Sequence, residues 1–401
     1  MDAYTKGRDI PLGIVSDDSA FYVYYDGDSY WPVGKLHVYK YGLDQNDDKA
    51  SRLSFDMDMA KTRYLGSINQ DNRFLLLFLS RSAGTLNVFE VEGQGISAQY
   101  QFTLDKEQAR MLNVFDLKPV TNEHFTSLKD GRYQNKLFLN GPSNLFVTIE
   151  AKGETNIFQL DLSREELTLT TLTNDISSKS NSSNSNILGS TIYKVIATSD
   201  RLQLHIYDLA SKQMIKMYDI GPSDRIGLNQ GRPIREGRSA LFTNQEKTLR
   251  GTSVVLKKLT KGDIGIAVNK ATDQLIVAEM GSFRPSPTAG APIAIGPTGS
   301  APFTYGNGPD DPVTSSWRAP MSYYQEESGV TTSFLTFLDP STAKLSSGEG
   351  FRNSVNTIDS FIRKMYPDGG EISTVLRAQD MLYLVVLGPK GSTIELYEFP
   401  W

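Results

Sequence analysis

Residues Phe74-Leu75-Leu76-Leu77-Phe78-Leu79, a polar break that ends at Gly84, and then Leu86-Asn87-Val88-Phe89-Glu90-Val91 decide how this chain is read. The first run is apolar throughout; the second alternates and places an aromatic after a β-branched residue. An all-apolar run, a glycine-containing turn and an alternating partner describe an antiparallel hairpin whose first strand is covered on both faces. The second pattern recurs as Leu36-His37-Val38-Tyr39-Lys40-Tyr41, Thr155-Asn156-Ile157-Phe158-Gln159-Leu160, Leu204-His205-Ile206-Tyr207-Asp208-Leu209 and Ile394-Glu395-Leu396-Tyr397-Glu398-Phe399.

Two weaker copies fill the long gap before residue 394. Ser253-Val254-Val255-Leu256 follows Ser239-Ala240-Leu241-Phe242, and Leu335-Thr336-Phe337-Leu338-Asp339 resembles the run from Ile206 to Ser211. The seven units are spaced 50, 69, 49, 49, 82 and 59 residues apart, and the fifth is the least regular. Repeats of roughly 40–50 residues made of short strands are the signature of a β-propeller. The expectation is an all-β chain, residues 1–401 forming one closed propeller of seven four-stranded blades, with six and eight as the alternative counts. The recurrent motif is expected as the third strand of each blade. Ile96–Leu104, Glu166–Leu172 and Met214–Ile220 supply fourth strands. Trp401 comes two residues after the last motif and leaves that blade without a fourth strand of its own, so closure is expected to use residues 1–10.

At fold level the chain resembles the seven-bladed β-propellers over nearly its whole length. It lacks the Gly-His and Trp-Asp signatures of WD40 repeats, and its apolar run, turn and V-x-aromatic strand look like lactonase-type propellers. That likeness implies the alternative function, a metal-assisted hydrolase or lactonase acting at the axial mouth. Propellers also serve in tail and nozzle assemblies of viruses.

Composition narrows the chemistry. There is no cysteine, which excludes disulfides, thiolate metal sites and a thiol nucleophile. Lys and Arg number 41 against 46 Asp and Glu, a formal charge of −5, so no nucleic-acid partner is expected. The longest apolar runs, Phe74–Leu79 and Met381–Leu387, are too short to span a bilayer, so direct membrane insertion is not expected. The start, Met1 to Leu12, lacks a secretory pattern, and the cysteine-free composition suits an extracellular, envelope or virion setting. A Walker loop, a G-x-S-x-G elbow and an H-E-x-x-H helix are all missing from the sequence. Gly93-Gln94-Gly95 reads as a strand–strand turn.

Propellers carry function on loops that exceed the repeat. Residues 111–135 form one inter-blade insertion. Residues 283–331 form another, in the sixth blade, rich in Gly, Pro and Ala and then aromatic. On that second insertion Tyr305, Trp317, Arg318, Tyr323 and Tyr324 have the composition of contact anchors. Asp26, Asp28, Tyr30 and Trp31 of the second–third strand connection in the first blade join them, as does the Ser/Asn-rich link from Asn174 to Asn186. Arg232, Arg235 and Arg238 head the strongest basic cluster, with Arg225 and Arg250, and suit a carboxylate or phosphate. Of metals, calcium is the one that Asp17-Asp18, Asp26/Asp28 and Asp47-Asp48 would suit, but none has the twelve-residue calcium-loop spacing, and no cofactor is expected. His37 and His205, at equivalent repeat positions, are expected to pack and hydrogen-bond between blades. Two bracing helices are expected, one starting at Asp105-Lys106-Glu107-Gln108 and one at Asn356. The expected function is non-catalytic: a binding or structural propeller offering a loop-rich aromatic face to a protein or glycan partner within a larger assembly.

Overall fold

The computed structural model describes residues 11–17, 20–26, 35–42, 49–54, 62–80, 83–113, 117–121, 126–151, 153–173, 182–240, 243–285, 329–347, 361, 372–378, 381–387 and 394–400. Alternation and apolar runs give strands as expected, and the strands gather into consecutive antiparallel sheets. The first holds β1 (Pro11–Ser16), β2 (Ala20–Asp26), β3 (Lys35–Gly42) and β4 (Lys49–Ser54), paired in chain order. The second holds β5 (Thr62–Gln70), β6 (Arg73–Ser80), β7 (Thr85–Glu92) and β8 (Gly95–Thr103), again in order. This four-stranded meander is the strand order of a propeller blade. The Leu86–Val91 motif is its third strand, β7.

A third sheet contains β9 (Lys118–Val120), β10 (Asn135–Asn140), β11 (Asn144–Ala151), β12 (Glu154–Asp161) and β13 (Glu166–Thr173). Here β10 to β13 form the meander and β9 adds a short parallel strand against β10. The insertion at 111–135 supplies β9 and the helical turn α2 (Leu128–Gly131), preceded in the chain by α1 (Lys106–Leu112). Asp105 caps α1 as the sequence implies: its carboxylate accepts from the Glu107 and Gln108 amides, and the Gln108 side chain returns to the Asp105 amide. The fourth sheet is β14 (Ser182–Leu188), β15 (Thr191–Ala197), β16 (Leu202–Asp208) and β17 (Met214–Ile220).

The fifth sheet departs from expectation. Its meander is β20 (Asp263–Thr272), β21 (Leu275–Pro285) and β22 (Gly329–Leu338), but its fourth strand comes from upstream. The strand β18 (Ile234–Ala240) pairs with β22 and carries β19 (Thr243–Leu249) on its far side. The expected fifth unit is therefore not a sheet of its own. Ser253–Leu256 lies in the helix α3 (Thr252–Leu259), where Val255, Leu256 and Leu259 are buried. Those apolar residues keep helical spacing, which a four-residue run cannot reveal. The sixth sheet has β23 (Ile372–Ala378), β24 (Met381–Leu387) and β25 (Ile394–Pro400). Among the described residues there are thus six sheets, and every other motif copy is a third strand. Residues 1–10 lie outside the described set. So does the helix expected from Asn356, except Phe361, whose ring meets Tyr397 and Phe399 of β25 at 4.6 and 5.4 Å.

Third strands of successive sheets share a second device. Asp161, Asp208 and Asp339 end or follow β12, β16 and β22, and each carboxylate accepts from the amide and hydroxyl of a serine two or three residues on. Four residues after each aspartate the backbone turns left-handed, at Glu165, Lys212 and Ala343. An aspartate that holds a turn through its own side chain needs no glycine there.

Core side chains sit between sheets. Leu75, Leu77, Leu79, Leu137, Leu145, Val147 and Phe158 pack between the second and third sheets. Leu204, Ile206, Ile266, Val268, Met280 and Phe334 pack between the fourth and fifth.

Candidate functional site

First strands of neighbouring sheets meet end to end along one rim. The Ser16 amide donates to Asn72 Oδ1 and Asn72 Nδ2 returns to the Ser16 carbonyl, each at 2.7 Å. Gln70 Nε2 donates to the Leu139 carbonyl, 3.2 Å, and Asn140 Nδ2 to that of Gly189, 2.7 Å. Arg73 reaches the Pro142 carbonyl while pairing with Glu90, Nη2 to Oε2 at 2.8 Å. Each contact joins the C-terminal end of one first strand to that of the next, so the first strands of the first four sheets run the same way. The second-to-third strand connections and the links between these sheets then leave from the opposite rim. Residues 27–34 and 174–181 depart there.

Among the described residues, the second-to-third strand connection of the fifth sheet has the longest stem. The strands β21 and β22, of 11 and 10 residues, pair in register from Ile276↔Leu338 to Pro285↔Gly329. Phe283 is buried, and the Arg132 guanidinium lies over its ring at 4.0 Å. A β-carbon on Gly281 would come within 2.1 Å of the Thr332 carbonyl, so this stem tolerates only glycine there. The expected insertion at 283–331 is therefore strand at both edges, and the connection proper is 286–328.

Of the residues expected to bind, Asp28, Tyr30, Trp31, Tyr305, Trp317, Arg318, Tyr323 and Tyr324 lie outside the described residues. Asp26 ends β2 opposite Leu36, and Arg238 sits in β18 opposite Gln245 and Val330. Arg232 is committed to the fold: its guanidinium stacks on Phe337 at 3.9 Å and donates to the Ser347 carbonyl and Gln230 Oε1 at 2.8 and 3.1 Å. Arg235 is exposed on β18, between Thr248 and Ser333. Its neighbour Glu236 pairs not with an arginine but with Lys247 and Lys258, at 2.8 and 2.7 Å. Burial pushes the Glu236 carboxyl up, and the two ammonium groups hold it below the ordinary carboxylate range.

A polar seam between the third and fourth sheets is the feature that sequence reading missed. The second part of the Ser/Asn link expected from Asn174 to Asn186 instead begins the strand β14, Ser182–Leu188, with Asn184, Ser185 and Asn186 buried. Small polar side chains suit the place because they serve buried charge. Lys136, fully buried on β10, donates to Asn184 Oδ1 and the Ser185 carbonyl. Burial, opposed by the charge of Glu150, pushes its pKa down to about 7. Glu150 accepts from Ser185 Oγ (2.6 Å), Thr155 Oγ1 (2.7 Å) and Ser183 Oγ (3.2 Å). Lys194, also fully buried, donates to the Leu172 carbonyl at 2.7 Å. Opposite it, His205 is held by Tyr207 Oη and Gln203 Oε1, 3.0 Å each, the hydrogen-bonded packing role expected of it. His37's side chain and His124 lie outside the described residues. The available signal was a lysine at an inward position of an apolar run, Asn135-Lys136-Leu137-Phe138 and Tyr193-Lys194-Val195.

Of the aspartates considered for calcium, Asp18, Asp28, Asp47 and Asp48 lie outside the described residues; among the described residues no three His, Asp or Glu side chains converge. Asp17 instead accepts from the Ala20 amide and Tyr22 Oη, both at 2.8 Å. No described helix is long and apolar enough to cross a membrane.

No protein-family model matches the chain, and no curated protein matches it in sequence. Solved structures show likeness at low similarity. They include the Dos1 propeller (12% identity, TM-score 0.27, covering 67% of this chain and 55% of that one). A post-proline cleaving enzyme from Rickettsia typhi is 9% identical, with a TM-score of 0.26 and 66% and 31% covered. Dihydro-heme d1 dehydrogenase NirN is 12% identical, with a TM-score of 0.25 and 52% and 37% covered. The chain spans from about a third to just over half the length of these structures.

Proposed function

We propose that the chain is a non-catalytic binding or structural β-propeller. It closes one ring from its six sheets and offers the rim opposite the Asn72 and Asn140 contacts to a protein or glycan partner within a larger assembly. The observation that carries this reading is the β21–β22 stem, longer than the other hairpins and anchored by Phe283 under Arg132, from which residues 286–328 depart. A rigid two-stranded stem positions a binding segment at low entropic cost. The aromatics Tyr305, Trp317, Tyr323 and Tyr324, with Arg318, are its anchors, and Asp26, Asp28, Tyr30 and Trp31 flank them. The polar seam supports the same reading. Its lysines and histidine are buried and bonded to neighbouring side chains and carbonyls, which is a scaffold's use of charge.

The test compares the full chain with one in which 286–328 is replaced by a short glycine linker, each used as bait and assayed by native mass measurement and a glycan array. Loss of the recovered partner or glycan on deletion supports the reading. A stoichiometric cation in the purified full chain would overturn it in favour of metal-assisted hydrolysis.

A further inference from the structure

Charge is distributed very unevenly along this chain. Residues 201–261 hold twelve Lys and Arg against five Asp and Glu, a surplus of seven. The other 340 residues hold 29 against 41, a deficit of twelve. The positive segment runs from β16 through β17, β18 and β19 to α3 and follows the outer edges of the fourth and fifth sheets. Lys216, Arg225, Arg250, Lys257 and Lys261 are exposed on it. A hydrogen bond from Thr252 to the Asp224 carbonyl brings the approaches of Arg225 and Arg250 together.

An apolar surface lies on the same edge. The strand β17 is outermost in its sheet, so one row of its backbone groups has no strand partner among the described residues. Met214, Ile215 and Met217 are 42%, 47% and 47% exposed. The exposed side chains of the corresponding outer strands β8 and β13 are mostly serine, threonine, glutamine and glutamate. Proteins ordinarily blunt such edges with charge, and Lys216 in the middle of β17 does so against an apolar strand. Against an acidic surface the same lysine attracts. Asp219 of the same strand is exposed but paired with Arg201 at 2.9 Å, and exposed apolar residues within a net-positive surface are the make-up of a protein contact.

We propose that the β17 edge docks onto the acidic remainder of a second copy of this chain. The counter-charge is present in the chain itself, since the residues outside 201–261 carry the opposite sign in excess. Two copies cannot meet through β17 on both sides, because that would set the positive surface against itself. The contact is therefore head-to-tail, and head-to-tail contacts close into rings or extend into filaments. This rests on the binding-or-structural reading above and adds the partner: the chain itself, through a surface distinct from 286–328.

The experiment is sedimentation velocity and native mass spectrometry of the full chain at ionic strengths of about 0.05 M and about 0.5 M, where charge attraction is strongly and weakly felt. The wild type should assemble beyond a dimer at low salt and dissociate at high salt. Two variants at exposed positions, Ile215→Glu with Met217→Glu and Arg225→Glu with Arg250→Glu, should each weaken assembly at least about tenfold, ~1.4 kcal/mol, while keeping the wild-type circular dichroism. The chain lacking 286–328 should assemble like the wild type. A chain that stays monomeric at low salt, stops at a dimer, or assembles undiminished in both variants overturns the proposal. A mixed-sequence DNA duplex bound by an otherwise monomeric wild type and released by Arg225→Glu with Arg250→Glu also overturns it, and marks the patch as a nucleic-acid surface. If only deletion of 286–328 dissolves the assembly, this proposal fails and the reading of that segment as the contact arm stands.

Discussion

Asp208 and Asp339 build the same turn in different sheets: each carboxylate accepts from the amide and hydroxyl of a nearby serine, and each turn passes through a left-handed residue four positions on. Their pKa values share a direction. Bonding to Ser211, first from its amide and then its hydroxyl, holds Asp208 below the ordinary value. The Ser341 hydroxyl, with the amide and hydroxyl of Thr342, brings Asp339 down to about 2. A depressed carboxyl contributes stability above its unfolded pKa of 3.8 and loses it as pH falls through the folded value. Asp339→Asn should therefore flatten the acid limb of stability between about pH 4 and 2, read from urea midpoints across that range. An unchanged limb would show that the turn owes nothing to the charge.

Lys136 acts with the same sign in a higher pH window. Its folded pKa, about 7, lies below the ordinary 10.5, so between those values the unfolded chain binds more protons and stability rises with pH. Below about 7 the cost of burying its charge is fully present. Lys136→Met should remove up to ~1.4 kcal/mol per pH unit of that slope between pH 7.5 and 9.5. Above about pH 10.5, where the lysine is neutral in either state, the variant should be destabilised by about 1–3 kcal/mol, because the Asn184 and Ser185 oxygens lose their donor. Denaturant melts of both proteins across these pH values check this; parallel curves refute it.

The rim contacts should add. Asn72→Ala and Asn140→Ala remove side-chain bonds between different pairs of sheets, and each should cost about 1–2 kcal/mol. Being separate sites, the double variant should show the sum within about 0.5 kcal/mol. A markedly smaller double loss would mean that the first contact to fail already frees the others.

Gly131 and Gly265 face the same narrow contact between α2 and β20. A β-carbon on Gly131 would stand 2.5 Å from the Ile266 carbonyl, and one on Gly265 would stand 2.9 Å from the Arg132 backbone. Both sites abut backbone, which cannot move aside. Either alanine should cost about 2–3 kcal/mol by overpacking, measured by thermal melts. Wild-type stability in Gly131→Ala would place α2 elsewhere.

Much of the architecture was legible because the third strands are covered on both faces. Runs such as Leu86–Val91 and Leu204–Leu209 had to be apolar and aromatic, and the pattern survived where other identity did not. The Asp105 cap was legible because it is local chemistry. What failed was short or long-range. Val254, Val255 and Leu256 fit a strand or one helical turn equally well, and only the burial of Leu259 decides. The β14 strand read as a link because Ser and Asn favour turns unless buried partners hold them, and those partners, Lys136 and Glu150, are distant in sequence. Arg232 read as a ligand-binding cation, while Phe337, which it covers, is more than a hundred residues away.

The borrowed strand β18 fixes an order of events as the chain is made. Its ladder partner β22 ends at Leu338, so this edge waits while α3, β20, β21 and all of 286–328 are synthesised. The first four sheets need no such delay, since each pairs strands adjacent in the chain. A pairing that spans so much sequence forms late, because its loop must close before the contact repays it. Completing the fifth sheet thus comes later than its first strands, and the segment read as a contact arm emerges from the ribosome before that sheet can close behind it.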